Sequence, residues 1–230
     1  MTRVGTSPVA HPPHQVVGDL ALASSRRIAA AVLASDAEAT VCLALSDSEA
    51  TLARAMGVRV CKDGRAAERR LTHLGFALVL GAPATDEASV IDRLALHPAV
   101  PSRAVIEAAP GAARGVARAL GKLDLDAVLV LDGPVGPGAR GYLVKGGAAR
   151  AVSLPDADAD AEILAGVMEH PLDPDAACAA LRGARSPLGE QLAWDAAALL
   201  WTGAWLPRFG DILPWTRARQ RRGVDLTRYA

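Results

Sequence analysis

Four consecutive residues, Ser24-Ser25-Arg26-Arg27, bring hydroxyl and guanidinium groups to the point where an apolar stretch turns helical. Ile28, Ala31 and Val32 recur behind them at helical spacing, so Ser24 or Ser25 is placed to cap a helix whose first N–H groups lie open. Such an N-terminus can hold a phosphate with Arg26 or Arg27 beside it. An ordinary serine cap with solvent-facing arginines is the plainer reading of the same residues. A second cluster, Ser46-Asp47-Ser48-Glu49, has the form of a capping box, with Glu49 three residues after Ser46. Its acids would repel a diphosphate unless a cation intervened, which favours the cap. Two single residues complete the set. Arg103 opens an apolar run and suits either a carboxylate ligand or a structural ion pair. Asp132 follows the apolar run that ends at Leu131, and the carboxyl end of a parallel strand is a common place for a site.

These residues need a frame, and residues 57–83 (GVRVCKDGRAAERRLTHLGFALVLGAP) show its kind. Val58 and Val60 alternate before a polar turn at Lys62-Asp63-Gly64. Ala66, Ala67, Leu71 and Leu74 then follow at helical spacing, and Phe76 to Leu80 is an apolar run suited to a strand covered on both faces. Gly75 stops the helix and Pro83 ends the strand. The same alternation extends along the chain. Strands are expected at Gln15–Val17, from residue 39, at 102–109 and at 126–131; helices are expected from Ser24, from Ser46 or Asp47, over 84–98 and over 112–122. Gly141–Gly147 and Ala149–Leu154 read as a hairpin turning at Gly146-Gly147. Residues 183–201 read as an amphipathic helix with Pro187 near its first turn. Trp194, Trp201 and Trp205 are spaced 7 and 4 apart and share a face suited to a core or a subunit contact.

The expectation is an α/β fold, a mostly parallel sheet flanked by helices, with a small helical C-terminal appendage. Residues 1–14 are a flexible arm, 15–205 the α/β domain, and 206–230 a basic, aromatic-containing tail. Arg208, Arg217, Arg219, Arg221, Arg222 and Arg228 with Phe209, Trp215 and Tyr229 can bind nucleic acid or another anion. A solvated or subunit-contacting tail is the other reading.

With 230 residues the chain can bury a substantial core, and half of it (51%) is apolar, mostly Ala, Val and Leu. Aromatics are scarce at 3%, as suits helices packed closely on a sheet. The 25 basic and 25 acidic residues balance, so no global field draws nucleic acid or an anionic membrane. Cys42, Cys61 and Cys178 are widely spaced, which argues for reduced thiols rather than a disulfide or a metal site. No apolar run reaches membrane-spanning length and no secretory leader is evident, so a cytoplasmic protein is expected. The acidic stretch Pro155–Asp160 lacks the Gly and terminal Glu of a calcium loop.

Two segments are more specific in wording than in periodicity. "AMGV", a helix and "LGFALVLGAP" resemble the "LGV", helix and "GxxFLFAP" of anthranilate phosphoribosyltransferases, and Ser186-Pro187 to Leu200 resemble that family's "GPxRDxVLLNAAAAL". Glu190 stands for its Asp, Asp195 for its Asn and Ala196-Ala197-Ala198 for its alanines. The resemblance spans roughly residues 15–203 and implies the large α/β domain of that family and of the pyrimidine-nucleoside phosphorylases. The family's N-terminal helical subdomain, which supplies a dimer contact, is expected to be missing. Of the diphosphate loop "GTGGD" the chain keeps Gly18-Asp19, with Leu20 and Leu22 where backbone should approach the phosphate. Ser46 and Ser48 match serines that in the family touch phosphate and metal, while the Lys-His-Gly-Asn turn before them is absent. Over "RTIFNLLGPLTNPA" the asparagine is replaced by Glu107, leaving Arg103 and Asp132 as acceptor-site candidates. Asp132-Gly133 remains of "DGLDE", without the Asp-Glu pair that binds magnesium.

The resemblance therefore implies a divergent phosphoribosyltransferase-like protein. As an enzyme it would be a glycosyltransferase with degenerate phosphate and metal motifs, moving phosphoribosyl from phosphoribosyl pyrophosphate to an aromatic or nitrogenous acceptor. The other class is a non-catalytic relative that binds a phosphorylated ligand, nucleic acid or a partner subunit. The phosphate-binding candidates are Gly18, Asp19, Ser24, Ser25, Arg26, Ser46 and Ser48; no catalytic residue or metal ligand is singled out. The implied partners are a phosphorylated small molecule, a second copy or partner subunit, and nucleic acid through the basic tail, with no membrane. Mg2+ has weak support as a cofactor.

Overall fold

In a computed structural model of the chain, residues 14–18, 24–35, 41–43, 47–61, 77–81, 103–123, 125–156, 173–202 and 208–226 are described. Their elements follow in order as β1 (His14–Gly18), α1 (Ser24–Ser35), β2 (Val41–Leu43), α2 (Asp47–Ala55), β3 (Arg59–Cys61), β4 (Ala77–Gly81), β5 (Arg103–Ala108) and α3 (Ala113–Leu120). The second half continues with β6 (Ala127–Asp132), β7 (Arg140–Lys145), β8 (Ala148–Ser153), α4 (Pro174–Leu181), α5 (Pro187–Thr202) and α6 (Phe209–Arg222).

A six-stranded sheet runs in the order β4-β1-β5-β6-β7-β8, and β2 pairs with β3 in a separate parallel ribbon. β4, β1, β5 and β6 are mutually parallel; β7 and β8 are antiparallel additions at one edge. This is the α/β, mostly parallel architecture that the strand–helix alternation predicts. The hairpin turns at Gly146-Gly147, whose φ values of 54° and 78° are the paired left-handed conformations of a tight two-residue turn.

The period of two along β5 and β6 divides the core. Val105, Leu129 and Leu131 face the cluster built from α1, α4, α5 and α6, whereas Ala104, Ile106, Ala108, Val128 and Val130 face α3. Both strands are covered on both sides, which explains their unbroken apolar runs. The same parity sends Glu107 towards α1 and α5, and Asp132 towards α3.

The C-terminal segment is an integral layer rather than a solvated tail. Phe209, Ile212 and Leu213 of α6 are buried in the same cluster as α5. Phe209 stacks on Trp194 with ring centroids 5.5 Å apart and meets Trp201 edge-on at 5.7 Å. Thr216 Oγ1 donates to Ala193 O at 2.8 Å, and Gln220 Nε2 donates to Ala180 O at 2.7 Å. A tail read from its arginines alone hides this apolar stripe. α4, also not anticipated, is capped by Asp173, whose carboxylate accepts from Asp175 N–H at 3.0 Å, with Pro174 opening the helix.

The helix expected within 62–76, the helix over 84–98, the acidic residues 157–160, Trp205 and Tyr229 lie outside the described residues. No described helix is long and apolar enough to cross a membrane.

Candidate functional site

In a parallel sheet of this kind ligands sit beyond the carboxyl ends of the strands. Here that end carries two different arrangements, one buried and one open, on opposite faces of β5 and β6.

The buried one is a charged group. Arg26, in the first turn of α1, is 2% exposed and grips Asp195 of α5 through two bonds, Nε to Oδ2 at 2.6 Å and Nη2 to Oδ1 at 2.7 Å. Its Nη2 also reaches Glu107 Oε1 at 3.2 Å. Gln191, one helical turn before Asp195, donates to Asp195 Oδ1 at 2.9 Å and to Val135 O at 2.8 Å. Val135 N–H donates in turn to Glu107 Oε1 at 2.8 Å. Arg27, 2% exposed, lies alongside. Charges this deep persist only when paired, and the two-pronged Arg26–Asp195 geometry is the strong form of such a pair. Burial works to lower the Arg26 pKa, but Asp195 and Glu107 overcome it and hold the guanidinium above its ordinary value. Burial pushes the Glu107 carboxyl up, against the pull of Arg26 and the Val135 N–H. Glu107 Oε2 is buried without a hydrogen-bond partner. It borders a cavity of about 20 Å3 shared with Arg26, Arg27 and Asp195, a volume that suits one water molecule and no larger ligand.

The open arrangement is a cleft of about 450 Å3 lined by Gly111, Ala113, Arg114, Asp132, Arg140, Gly141, Tyr142 and Ala151–Ser153. Asp132 ends β6, and its Oδ1 accepts from Gly111 N–H at 2.6 Å, tying the strand end to the loop that enters α3. Gly111 takes φ 81° there, a left-handed conformation that glycine adopts without strain. Ala112, the residue before α3, provides no side-chain cap, and Ala113 and Arg114 of the first turn line the cleft. The register Leu131↔Gly141 then sets Arg140 beside Asp132 on the neighbouring strand. Gly141 allows the close approach: a Cβ there would run into Val130 O and lie 2.8 Å from Leu131 Cα. Arg114 and Arg140 are exposed. Two guanidinium groups, a helix N-terminus, one carboxylate and a tyrosine can bind a ligand that carries both a phosphate and hydroxyl groups.

The sequence-derived candidates divide between these places. Arg26, expected at a phosphate, is instead consumed by two carboxylates because it points into the interface of α1 with α5. Ser24 and Ser25 open α1 as expected, Ser48 falls in the first turn of α2, and Gly18 ends β1; Asp19 and Ser46 lie outside the described residues. Arg103 starts β5 whereas Asp132 ends β6, which puts them at opposite ends of the sheet, about 16 Å apart along the strands. Arg103 pairs with Asp126 at 3.7 Å, the structural role that was its alternative. Asp132 alone of the two acceptor-site candidates lines the cleft. The tail arginines are partly spent within the fold: Arg217 pairs with Glu190 at 2.6 Å, and Arg219 lies over Trp215. Sequence reading missed Arg114, Arg140 and Tyr142. The signal for Arg140 was present, since a hairpin following Asp132 must begin at the same end of the sheet.

Among solved structures, the crystal structure of anthranilate phosphoribosyltransferase (TrpD) from Thermus thermophilus matches this chain with a TM-score of 0.56 at 20% sequence identity. The match covers 92% of this chain and 74% of that one. A likeness at this identity establishes the fold. No protein-family model and no curated protein sequence matches the chain.

Proposed function

We propose that this chain is a divergent phosphoribosyltransferase-like protein that binds a phosphorylated ribose in the cleft between α3 and the β6–β8 edge. The observation that carries the reading is the convergence of Arg114, Arg140 and Asp132 on one open cleft at the carboxyl end of β6. Arg114, Arg140 and the N–H groups of the first turn of α3 bind the phosphate; the Asp132 carboxylate accepts from ribose hydroxyls; the Tyr142 ring forms a wall. A ligand that was only anionic would be repelled by Asp132, whereas a sugar phosphate uses both signs of charge.

Transfer of the phosphoribosyl group to an aromatic or nitrogenous acceptor is the second reading, favoured by the likeness to the Thermus transferase. Mg2+ does not fit the donor set well. Asp132 is the sole carboxylate lining the cleft among the described residues, and one of its oxygens is taken by Gly111 N–H. Among the described residues no three His, Cys, Asp or Glu side chains gather to hold a metal.

Calorimetric titration with ribose 5-phosphate and with phosphoribosyl pyrophosphate, each with and without Mg2+, tests the proposal. Binding tighter than about 1 mM that is lost in Arg114→Ala and Arg140→Ala supports it. Absence of binding, or binding indifferent to both substitutions, overturns it. Release of pyrophosphate in the presence of an amine acceptor would promote the second reading over the first.

A further inference from the structure

The buried charged group and the open cleft meet at one residue. Val135 sits in the loop of residues 133–139 that joins Asp132 to Arg140, and both sides of its peptide are held from the interior. Its N–H donates to Glu107 Oε1 at 2.8 Å, and its carbonyl accepts from Gln191 Nε2 at 2.8 Å. Both holders are fixed in their turn. Glu107 is joined to Arg26, and Gln191 to the Asp195 carboxylate that Arg26 grips. Val135 itself is 4% exposed, so its side chain anchors the loop in the core as well.

We propose that Glu107 and Gln191 are positioning residues of the cleft: they clamp Val135 and thereby fix where Asp132 and Arg140 stand relative to α3. The loop carries Gly133, Gly136 and Gly138, and Gly133 and Gly138 take φ values of 110° and 66°. Backbone of that kind has little local preference, so its path is set by what holds it. Backbone bonds hold the two ends of the loop, Gly133 N–H to Ala108 O at 3.1 Å, Gly138 N–H to Pro155 O at 3.1 Å and Leu154 N–H to Ala139 O at 2.8 Å. Its middle, at Val135, is held by the two hydrogen bonds from β5 and α5, which reduce the freedom left there before a ligand arrives. Neither residue lines the cleft; both act through Val135. The inference rests on the ligand reading of the cleft for its consequence, and on the clamp geometry for its cause.

Amide exchange in the full chain, followed by NMR, separates the two. Gly111 N–H reports on Asp132, to which it is bonded, and Val135 N–H reports on the clamp. Gln191→Ala leaves every charge in place, and Glu107→Gln keeps an acceptor facing Val135 while Glu107→Ala does not. We expect Gln191→Ala and Glu107→Ala to speed exchange at both Val135 and Gly111 by about tenfold, the scale of one lost hydrogen bond, with Glu107→Gln close to wild type. Ribose 5-phosphate affinity should fall by a similar factor in the same two variants and recover in Glu107→Gln. Faster exchange at Val135 with Gly111 unchanged would overturn the proposal, because the clamp would not reach the cleft. If both amides respond while wild type binds no ribose 5-phosphate, the clamp stands and the ligand assignment falls.

Discussion

Arg26 and Asp195 lie 169 positions apart in the chain and meet through two hydrogen bonds of 2.6 and 2.7 Å in the interior. The contact joins the first turn of α1 to the middle of α5, beneath the carboxyl end of β5, where Glu107 adds a second carboxylate. Arg26 is bonded to both acids. A buried ionic group thus occupies the α1–α5 side of the sheet, and the open cleft lies on the opposite face.

Removing Asp195 should be severe. Asp195→Ala takes away both short bonds to Arg26 and leaves the 3.2 Å contact with Glu107, and the expected loss is about 3–5 kcal/mol. Asp195→Asn, which keeps one acceptor, should lose less. Urea unfolding monitored by far-UV circular dichroism measures both; losses as large for Asn as for Ala would show that the charge of Asp195, rather than its acceptor oxygen, carries the contact.

Glu107 gives the fold a pH signature. Burial raises its carboxyl pKa in the folded state above its ordinary value, with Arg26 and Arg27 of α1 and Asp195 of α5 beside it. A group with a raised folded pKa contributes stability that is complete below the unfolded value, near 4.3, and is lost as pH climbs through the folded value. Glu107→Gln resembles the protonated form and lacks that slope. Its stability relative to wild type should therefore improve from about pH 4 towards about pH 8. A constant difference across that range would mean that Glu107 does not titrate on unfolding.

Arg140 is exposed, so its removal should separate binding from folding. Arg140→Ala should weaken ribose 5-phosphate binding by about 10- to 100-fold, as for loss of a charge-assisted hydrogen bond, and change stability by no more than about 0.5 kcal/mol. Calorimetry paired with thermal unfolding reads both quantities. A large stability loss would reveal a structural role for Arg140 that its exposure does not suggest.

Phe209 tests whether α6 belongs to the core. Its ring stacks on Trp194 and abuts Trp201, so Phe209→Ala should destabilise by about 3–5 kcal/mol. Removing residues 208–226 should abolish cooperative unfolding altogether. A truncated chain that melts as sharply as the whole would return the segment to the status of a tail.

The elements themselves were legible. The apolar runs of β5 and β6, the Gly146-Gly147 turn and the helices opening at Ser24, Asp47 and Pro187 appear where their periodicity and punctuation place them. Such signals are local: the sheet period of two, the helical period near 3.6 and the φ preference of glycine act within a few residues. Parity along β5 even settles that Glu107 and Ile106 face opposite layers. A helical C-terminal appendage was expected, but the packing of α6 into the core was not legible, because its arginines dominate the composition while the apolar stripe of Phe209, Ile212 and Leu213 becomes meaningful only against α5.

What the sequence by itself determined, then, is most of the described strands and helices, the α/β class and the candidate status of Asp132 at a strand end. The tertiary structure decided which charges are drawn into the interior and which stay open. Arg26 reads as a phosphate ligand because an arginine at a helix N-terminus has no intrinsic preference between a ligand oxygen and a carboxylate. The choice depends on whether Asp195, brought near by the packing of α5 on α1, arrives first. Arg114 and Arg140, set by α3 and β7 on the other face, stay at the surface and make the cleft.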